Sequence, residues 1–149
     1  MSDGSKGNYA EVNGLEMYYE IHGTGEPLIL LHGGVGAIEM FGEVLPLLAE
    51  GRQVIAADLQ AHGRTADIDR PLSFESMADD IAALIEHLGF EKADVMGYSV
   101  GGGVALQTAI RHPKLCASLW SSRPPSSAMD GTPRSSRGWS RCVPRPRSR

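Results

Sequence analysis

The residue with the clearest capacity for chemistry is Ser99, in the pentapeptide Gly-Tyr-Ser-Val-Gly at 97–101. The pentapeptide follows a short predicted strand at 93–96 and precedes a segment of small residues, so it fits a turn between a buried strand and a helix. Such a turn is sharp and strained, and Gly97 and Gly101 leave room for it. It would place the Ser99 hydroxyl at a helix N-terminus, where the helix dipole favours negative charge. We therefore predict that Ser99 is a nucleophile with a positive φ.

A second glycine-rich segment, His32-Gly33-Gly34, follows the apolar run 28–31. A serine nucleophile needs backbone N–H groups that stabilise the oxyanion, and glycine lets the backbone approach the substrate closely. We predict that the N–H groups of Gly34 and Val100 form the oxyanion hole and that His32 organises the loop instead of acting as the base. A phosphate-binding glycine loop is the alternative, but neither G-x-x-x-x-G-K-[ST] nor G-x-G-x-x-G occurs.

The elements that must position these residues alternate along the chain. Asn13-Gly14 predicts an N-terminal hairpin, the apolar runs at 28–31 and 54–57 predict strands buried on both faces of a sheet, and a third short strand is expected at 93–96. Helical patterns follow the strands around 41–50, from the N-cap Ser73 to Gly89, and from the elbow at Ser99 to His112. This alternation predicts an α/β fold with a mainly parallel sheet and helices on both faces.

A third segment, Asp58 to Thr65, reads D-L-Q-A-H-G-R-T. It resembles the D-x-x-G-H-G-x-[ST] loop of α/β-hydrolases, with Ala61 where the family usually has glycine. Together with His-Gly-Gly and Gly-Tyr-Ser-Val-Gly, in this order and at similar spacing, it gives a resemblance to the α/β-hydrolase superfamily over roughly residues 9–113. Within the resemblance, Asp58 and His62 are expected to shape the loop and not to act directly.

The resemblance implies a serine hydrolase that acts on an ester, thioester, amide or activated carbon–carbon bond through an acyl-enzyme on Ser99. The family's epoxide hydrolases and haloalkane dehalogenases use a carboxylate nucleophile, so serine at this position argues against those two activities. Perhydrolases and hydroxynitrile lyases share the serine and remain open. The implied chemistry needs no metal and no organic cofactor, and its partner is a small-molecule substrate.

The same resemblance implies that an acid and then a histidine follow the nucleophile. After Ser99 the chain has one histidine, His112, and one acid, Asp130. Thirteen residues of helix would hold His112 about 20 Å from Ser99, whereas a base must lie within about 3 Å of the hydroxyl. The triad acid is therefore unassigned and no triad histidine is expected in this chain. The alternative function is a C-terminally truncated, catalytically incompetent fragment.

The C-terminal part of the chain differs in composition from the rest. Twenty of the residues in 121–149 are Ser, Arg or Pro, and Asp130 is the only acid there against seven arginines. Such a segment buries too little apolar surface to offset its ordering entropy. We divide the chain into an N-terminal hydrolase part, 1–113, and a tail, 114–149, that is expected to be disordered. A reading frame lost near 113–114 would give this composition, and a functional basic tail is the rival explanation.

Composition restricts the partners and the compartment. The net charge of −4 is mild, and residues 1–120 are acidic, so neither nucleic acid nor a membrane surface is an expected partner. The N-terminal residues have no apolar stretch typical of a signal peptide, and no segment has the length of a membrane span. Cys116 and Cys142 lack the spacing of metal ligands and, without a secretion signal, are expected to stay reduced in the cytoplasm.

Overall fold

The computed structural model describes residues 7–122 and 140–142. The strands are β1 (Asn8–Val12), β2 (Leu15–His22), β3 (Pro27–Leu31), β4 (Gln53–Ala57), β5 (Ala93–Tyr98), β6 (Cys116–Ser122) and β7 (Ser140–Cys142). The helices are α1 (Val44–Ala49), α2 (Phe74–His87) and α3 (Val100–Arg111), with a 3₁₀ helix at Ile38–Phe41. The helical pattern expected around 41–50 is therefore divided between the 3₁₀ helix and the shorter α1.

One seven-stranded sheet, in the order β1-β2-β4-β3-β5-β6-β7, organises the fold. The central strands β4, β3, β5 and β6 are parallel to one another, and β1, β2 and β7 pair antiparallel at the two edges. The expected hairpin joins β1 to β2, and Asn13 and Gly14 supply its two positive φ angles of 53° and 82°. The α/β architecture with a mainly parallel sheet is confirmed.

Alternate residues of the central strands point into two apolar layers. Ile29, Leu31 and Ile55 pack with α2 and α3 on one face, whereas Leu28 and Leu30 pack with the 3₁₀ helix and α1 on the other. Burial on both faces explains why these strands read as continuous apolar runs. The helices therefore cover both faces of the sheet, as expected.

Helix α2 has the boundaries that its sequence signals predict. The Ser73 side chain accepts a hydrogen bond from the Ser76 N–H at 3.0 Å, which caps the helix N-terminus. Gly89, with φ of 78°, follows the C-cap residue Leu88.

The sheet continues beyond Pro113. Strand β6 lies parallel to β5, Leu119 is buried in the core, and the Ser118 hydroxyl donates a hydrogen bond to Asp94 at 2.6 Å. Three residues of the Ser/Arg/Pro-rich segment form β7 against β6. Residues 123–139 and 143–149, on which most of the expectation of disorder falls, lie outside the described residues, and the separate tail stays a prediction.

Candidate active site

Ser99 lies between the last residue of β5 and the first residue of α3, at the carboxyl end of the parallel sheet. Its backbone has φ of 53° and ψ of −112°, a conformation that non-glycine residues adopt at a cost. Ser99 is the N-cap residue of α3, but its hydroxyl makes no capping hydrogen bond. The predicted strand–turn–helix geometry and the positive φ are thus confirmed, and the hydroxyl is left at the positive end of the helix dipole.

The two glycines of the pentapeptide are required by close backbone contacts. A Cβ at Gly97 would overlap the backbone of Gly101, and a Cβ at Gly101 would overlap the carbonyl groups of Leu31 and His32. The start of α3 is therefore packed directly against the end of β3. This contact fixes the elbow relative to the segment that follows β3.

The His32–Gly36 segment lies beside Ser99 because β3 and β5 are neighbours, with Leu31 opposite Gly97. A Cβ at Gly33 would lie 3.5 Å from the Cβ of Ser99, and a Cβ at Gly34 would lie 2.9 Å from Cγ2 of Val100. The strand adjacency that the oxyanion prediction needs is confirmed. The assignment of the Gly34 and Val100 N–H groups as the donors stays a prediction.

His32 is fully buried and both of its ring nitrogens have partners. Nε2 accepts a hydrogen bond from the Leu59 N–H at 3.0 Å, so the proton is on Nδ1, which lies 2.7 Å from the Gly33 carbonyl oxygen and donates to it. Burial lowers the pKa of His32, although its bond to the Gly33 carbonyl opposes this. A neutral ring without a free nitrogen orients the loop and is not available to take a proton from Ser99.

Asp58 organises the loop that follows β4. Its fully buried carboxylate accepts hydrogen bonds from the backbone N–H groups of Ile38 at 2.9 Å and Arg64 at 3.0 Å. Ala61, where the family usually has glycine, has φ of 64°. The His62 ring lies 5.0 Å from the His32 ring. These contacts fit the expectation that Asp58 and His62 shape the loop.

The remaining histidines are engaged away from Ser99. His112 Nε2 lies 2.7 Å from Asp79 Oδ1 at the far end of α3, about 18 Å along the helix from the elbow. His22 pairs with Glu20, and His87 is exposed in the last turn of α2. All five histidines fall within the described residues, and there no histidine ring is hydrogen-bonded to Ser99.

Two tertiary contacts at the site have no signal in the sequence. The Gly33 N–H donates to the thioether sulfur of Met40 at 3.2 Å. Arg64 pairs with Glu39 and lies over the Tyr18 ring, 4.7 Å from its centroid. The first contact lies within the segment that follows β3. The second joins the loop after β4 to that segment and to β2.

Other kinds of site have less support in the described residues. In the described part of the chain, no group of three or more His, Cys, Asp or Glu side chains is arranged to hold a metal ion. None of the helices in residues 7–122 combines the length and apolarity that a bilayer crossing requires. A cavity of about 480 Å³ lies at the far end of α3, lined in part by Asp79, Arg111 and His112.

Comparison with known proteins places these features in a family. The model of the alpha/beta hydrolase fold family matches residues 26–143. The soluble epoxide hydrolase of Corynebacterium sp. (strain C12) is 41% identical over 103 residues, which are 67% of this chain and 35% of that protein. The 2-hydroxymuconate semialdehyde hydrolase of Pseudomonas sp. (strain CF600) is 38% identical over 96 residues, which are 62% of this chain and 34% of that protein.

Solved structures give the same result. The epoxide hydrolase CorEH without ligand superposes with a TM-score of 0.74 at 34% identity, over 86% of this chain and 46% of that one. Est816, described as an N-acyl homoserine lactone degrading enzyme, superposes with a TM-score of 0.70 at 28% identity, over 74% of this chain and 42% of that one. The chain therefore spans about a third to a half of the length of the relatives it matches. It belongs to the alpha/beta hydrolase family.

Proposed function

We propose that this member of the hydrolase family carries its nucleophile on Ser99 and forms an acyl-enzyme with an ester, thioester, amide or activated carbon–carbon substrate. The observation that carries the proposal is the backbone of Ser99, whose φ of 53° is kept although it is unfavourable for serine. A structural turn at this position would gain from glycine. A serine at this position, whose hydroxyl does not cap the helix, is explained if that hydroxyl has a chemical function.

The neighbouring loop supports the same chemistry. Attack by Ser99 Oγ on a carbonyl carbon forms a carbon–oxygen bond, breaks the carbonyl π bond and leaves negative charge on the former carbonyl oxygen. Collapse of this intermediate expels the leaving group, which takes the proton of the Ser99 hydroxyl, and leaves the acyl group on Oγ. The N–H groups of Gly34 and Val100 are the proposed donors to that oxygen. Gly34 lies close to the Val100 side chain, and Val100 follows Ser99 directly, which supports these two donors.

Similarity to epoxide hydrolases does not by itself extend their reaction to this chain. The proposed nucleophile here is a hydroxyl, and an alkoxide formed on Ser99 is suited to acyl transfer. Two of the matched proteins have names that describe a semialdehyde and an N-acyl homoserine lactone as substrates. We infer an acyl-group donor of small size as the substrate class.

A second candidate function is that of a family fragment without catalytic turnover. It is favoured by the positions of the histidines, because His32 is fully hydrogen-bonded and His112 is bound to Asp79 at the far end of α3. Without a base, the hydroxyl of Ser99 is a weak nucleophile at neutral pH. With its oxyanion donors intact, such a site retains roughly 10³ to 10⁴-fold acceleration over water, far below an intact triad.

Incubation with p-nitrophenyl acetate distinguishes the two candidates. The proposal expects p-nitrophenol release together with an acetyl group on the peptide that contains Ser99, and both should be lost in Ser99→Ala. Ser76→Ala is the matched control, because Ser76 lies on α2 and takes no part in the site. Release that is equal in the wild type and Ser99→Ala, with no acetyl group on Ser99, would instead support the fragment without turnover.

A further inference from the structure

The thioether of Met40 is an unusual partner for the loop beside Ser99. Met40 lies in the 3₁₀ helix that follows the loop, and its sulfur accepts the Gly33 N–H at 3.2 Å. The same sulfur closes the other side of the turn, since a Cβ at Gly36 would lie 2.9 Å from it. The turn is therefore stabilised in part by the thioether sulfur of Met40, which is a weak hydrogen-bond acceptor.

Met40 also differs from the other described methionines in exposure. It is 44% exposed, whereas Met17 is completely buried and Met77 is 5% exposed, and Met96 is partly buried against the core. Access to a dissolved oxidant follows exposure. The methionine that holds the loop is thus the one that a peroxide in solution reaches most readily among those in residues 7–122.

Oxidation would change both roles of this sulfur. A sulfoxide is polar and its oxygen is a strong hydrogen-bond acceptor, unlike the thioether. An oxygen atom cannot be inserted between the Met40 sulfur and the Gly33 nitrogen, which are 3.2 Å apart, unless one of them moves. On the other side, the sulfur lies close to Gly36, since an added Cβ there would be 2.9 Å from it. An oxygen added on the side of the Gly33 N–H must therefore displace the turn or the Met40 side chain.

We propose that Met40 is an oxidation site that controls the conformation of the Gly33–Gly36 turn, and that its co-reactant is a hydroperoxide. The sulfur loses two electrons and forms a bond to oxygen, the O–O bond of the peroxide breaks, and water or an alcohol leaves. The Gly33 N–H then loses its thioether acceptor. The further consequence, a displaced Gly34 N–H at the oxyanion hole, rests on the proposed function, whereas the oxidation and the movement of the turn do not.

Limiting hydrogen peroxide followed by peptide mass spectrometry tests the selectivity of oxidation. Met40 should be oxidised about tenfold faster than Met17 and Met77, in line with its exposure. Equal rates at the three positions would overturn the proposal.

Amide hydrogen exchange at Gly33 tests the structural consequence without any catalytic readout. Oxidised protein should exchange the Gly33 amide roughly threefold to tenfold faster than untreated protein, the change expected when a weak hydrogen bond is lost. Met40→Leu, which keeps the side-chain volume, should exchange faster from the start and should not respond to peroxide. Met96→Leu should respond as the wild type does. Unchanged exchange at Gly33 after complete oxidation of Met40 would refute the proposal even if Ser99 is later shown to be acylated.

Discussion

The two ends of α3 are built in opposite ways. At its N-terminus, Ser99 has a strained backbone, and close contacts leave Gly97 and Gly101 no room for side chains. At its C-terminus, Arg111 and His112 make exposed or partly exposed contacts with Asp79, and these contacts depend on charge. The difference shows that close backbone contacts and buried neutral groups define the geometry of the candidate site. The C-terminal end of α3, in contrast, makes a solvated contact with α2.

The largest effect is expected from a methyl group at the elbow. Gly97→Ala places its Cβ into the backbone of Gly101, which cannot move without separating α3 from β3. Overpacking of this kind costs about 3 kcal/mol or more when backbone must shift. Urea unfolding would measure it, with Gly51→Ala as the control, because nothing lies within 4 Å of a Cβ there. A cost at Gly97 similar to that at Gly51 would contradict the packed elbow.

A smaller but pH-dependent effect is expected from His32. Because burial lowers its pKa below the ordinary value of 6.5, the unfolded chain binds the proton more readily than the folded one. The contribution of His32 to stability is therefore full above pH 6.5 and is lost as the pH falls towards the folded pKa.

Urea midpoints between pH 7.5 and pH 5 would show this loss in the wild type. His32→Gln should be less stable at pH 7.5 by about 1–3 kcal/mol, since the Leu59 N–H and Gly33 carbonyl lose a well-placed partner. It should also be less sensitive to pH over this range. A variant with the same pH slope as the wild type would show that His32 is not the titrating group.

Ala61 offers a gain of stability at the same end of the molecule. Its φ of 64° is unfavourable for alanine and acceptable for glycine. Ala61→Gly should therefore raise the free energy of unfolding by up to about 1 kcal/mol, although the more flexible unfolded chain reduces the gain. Ala83→Gly, within α2, should have the opposite sign. Destabilisation by Ala61→Gly would mean that the loop is not strained at this residue.

The smallest effect is expected at the C-terminal end of α3. Asp79→Asn removes the contacts with Arg111 and His112, but these groups are solvated, so the cost should be the smallest among these variants. The Arg111 hydrogen bond lowers the pKa of Asp79, so the contribution exists at neutral pH and is lost in acid as the carboxylate is protonated. Added salt should reduce the difference from the wild type. A cost as large as that of Gly97→Ala would remove the contrast between the two ends.

Local sequence was sufficient for the elements up to the end of α3 and for most of their approximate ends, whereas β6 and β7 lie in the range that the sequence assigns to a disordered tail. Leu28–Leu31 is apolar at every position, and this pattern is a property of strands that a parallel sheet buries on both faces. Ser73 and Gly89 act on their immediate neighbours, which is why they predict the ends of α2. The expectation of one helix around 41–50 is less accurate. The division into a 3₁₀ helix and a short α1 with proline at its third position depends on packing against the sheet.

The sequence by itself determined which chemistry the site could hold. Each of the three motifs places its glycine, serine or histidine within a few consecutive residues. The spacing of these residue types can therefore be recognised in the sequence. The tertiary structure alone decided that Met40 holds the Gly33 N–H, that Leu59 and Gly33 occupy both nitrogens of His32, and that His112 meets Asp79. Leu59 with His32 and Asp79 with His112 are pairs far apart in the chain, and the strand order and the helix packing bring them together. Gly33 and Met40 are close in the chain, but the path of the turn between them decides their contact, which no local pattern of residue types contains.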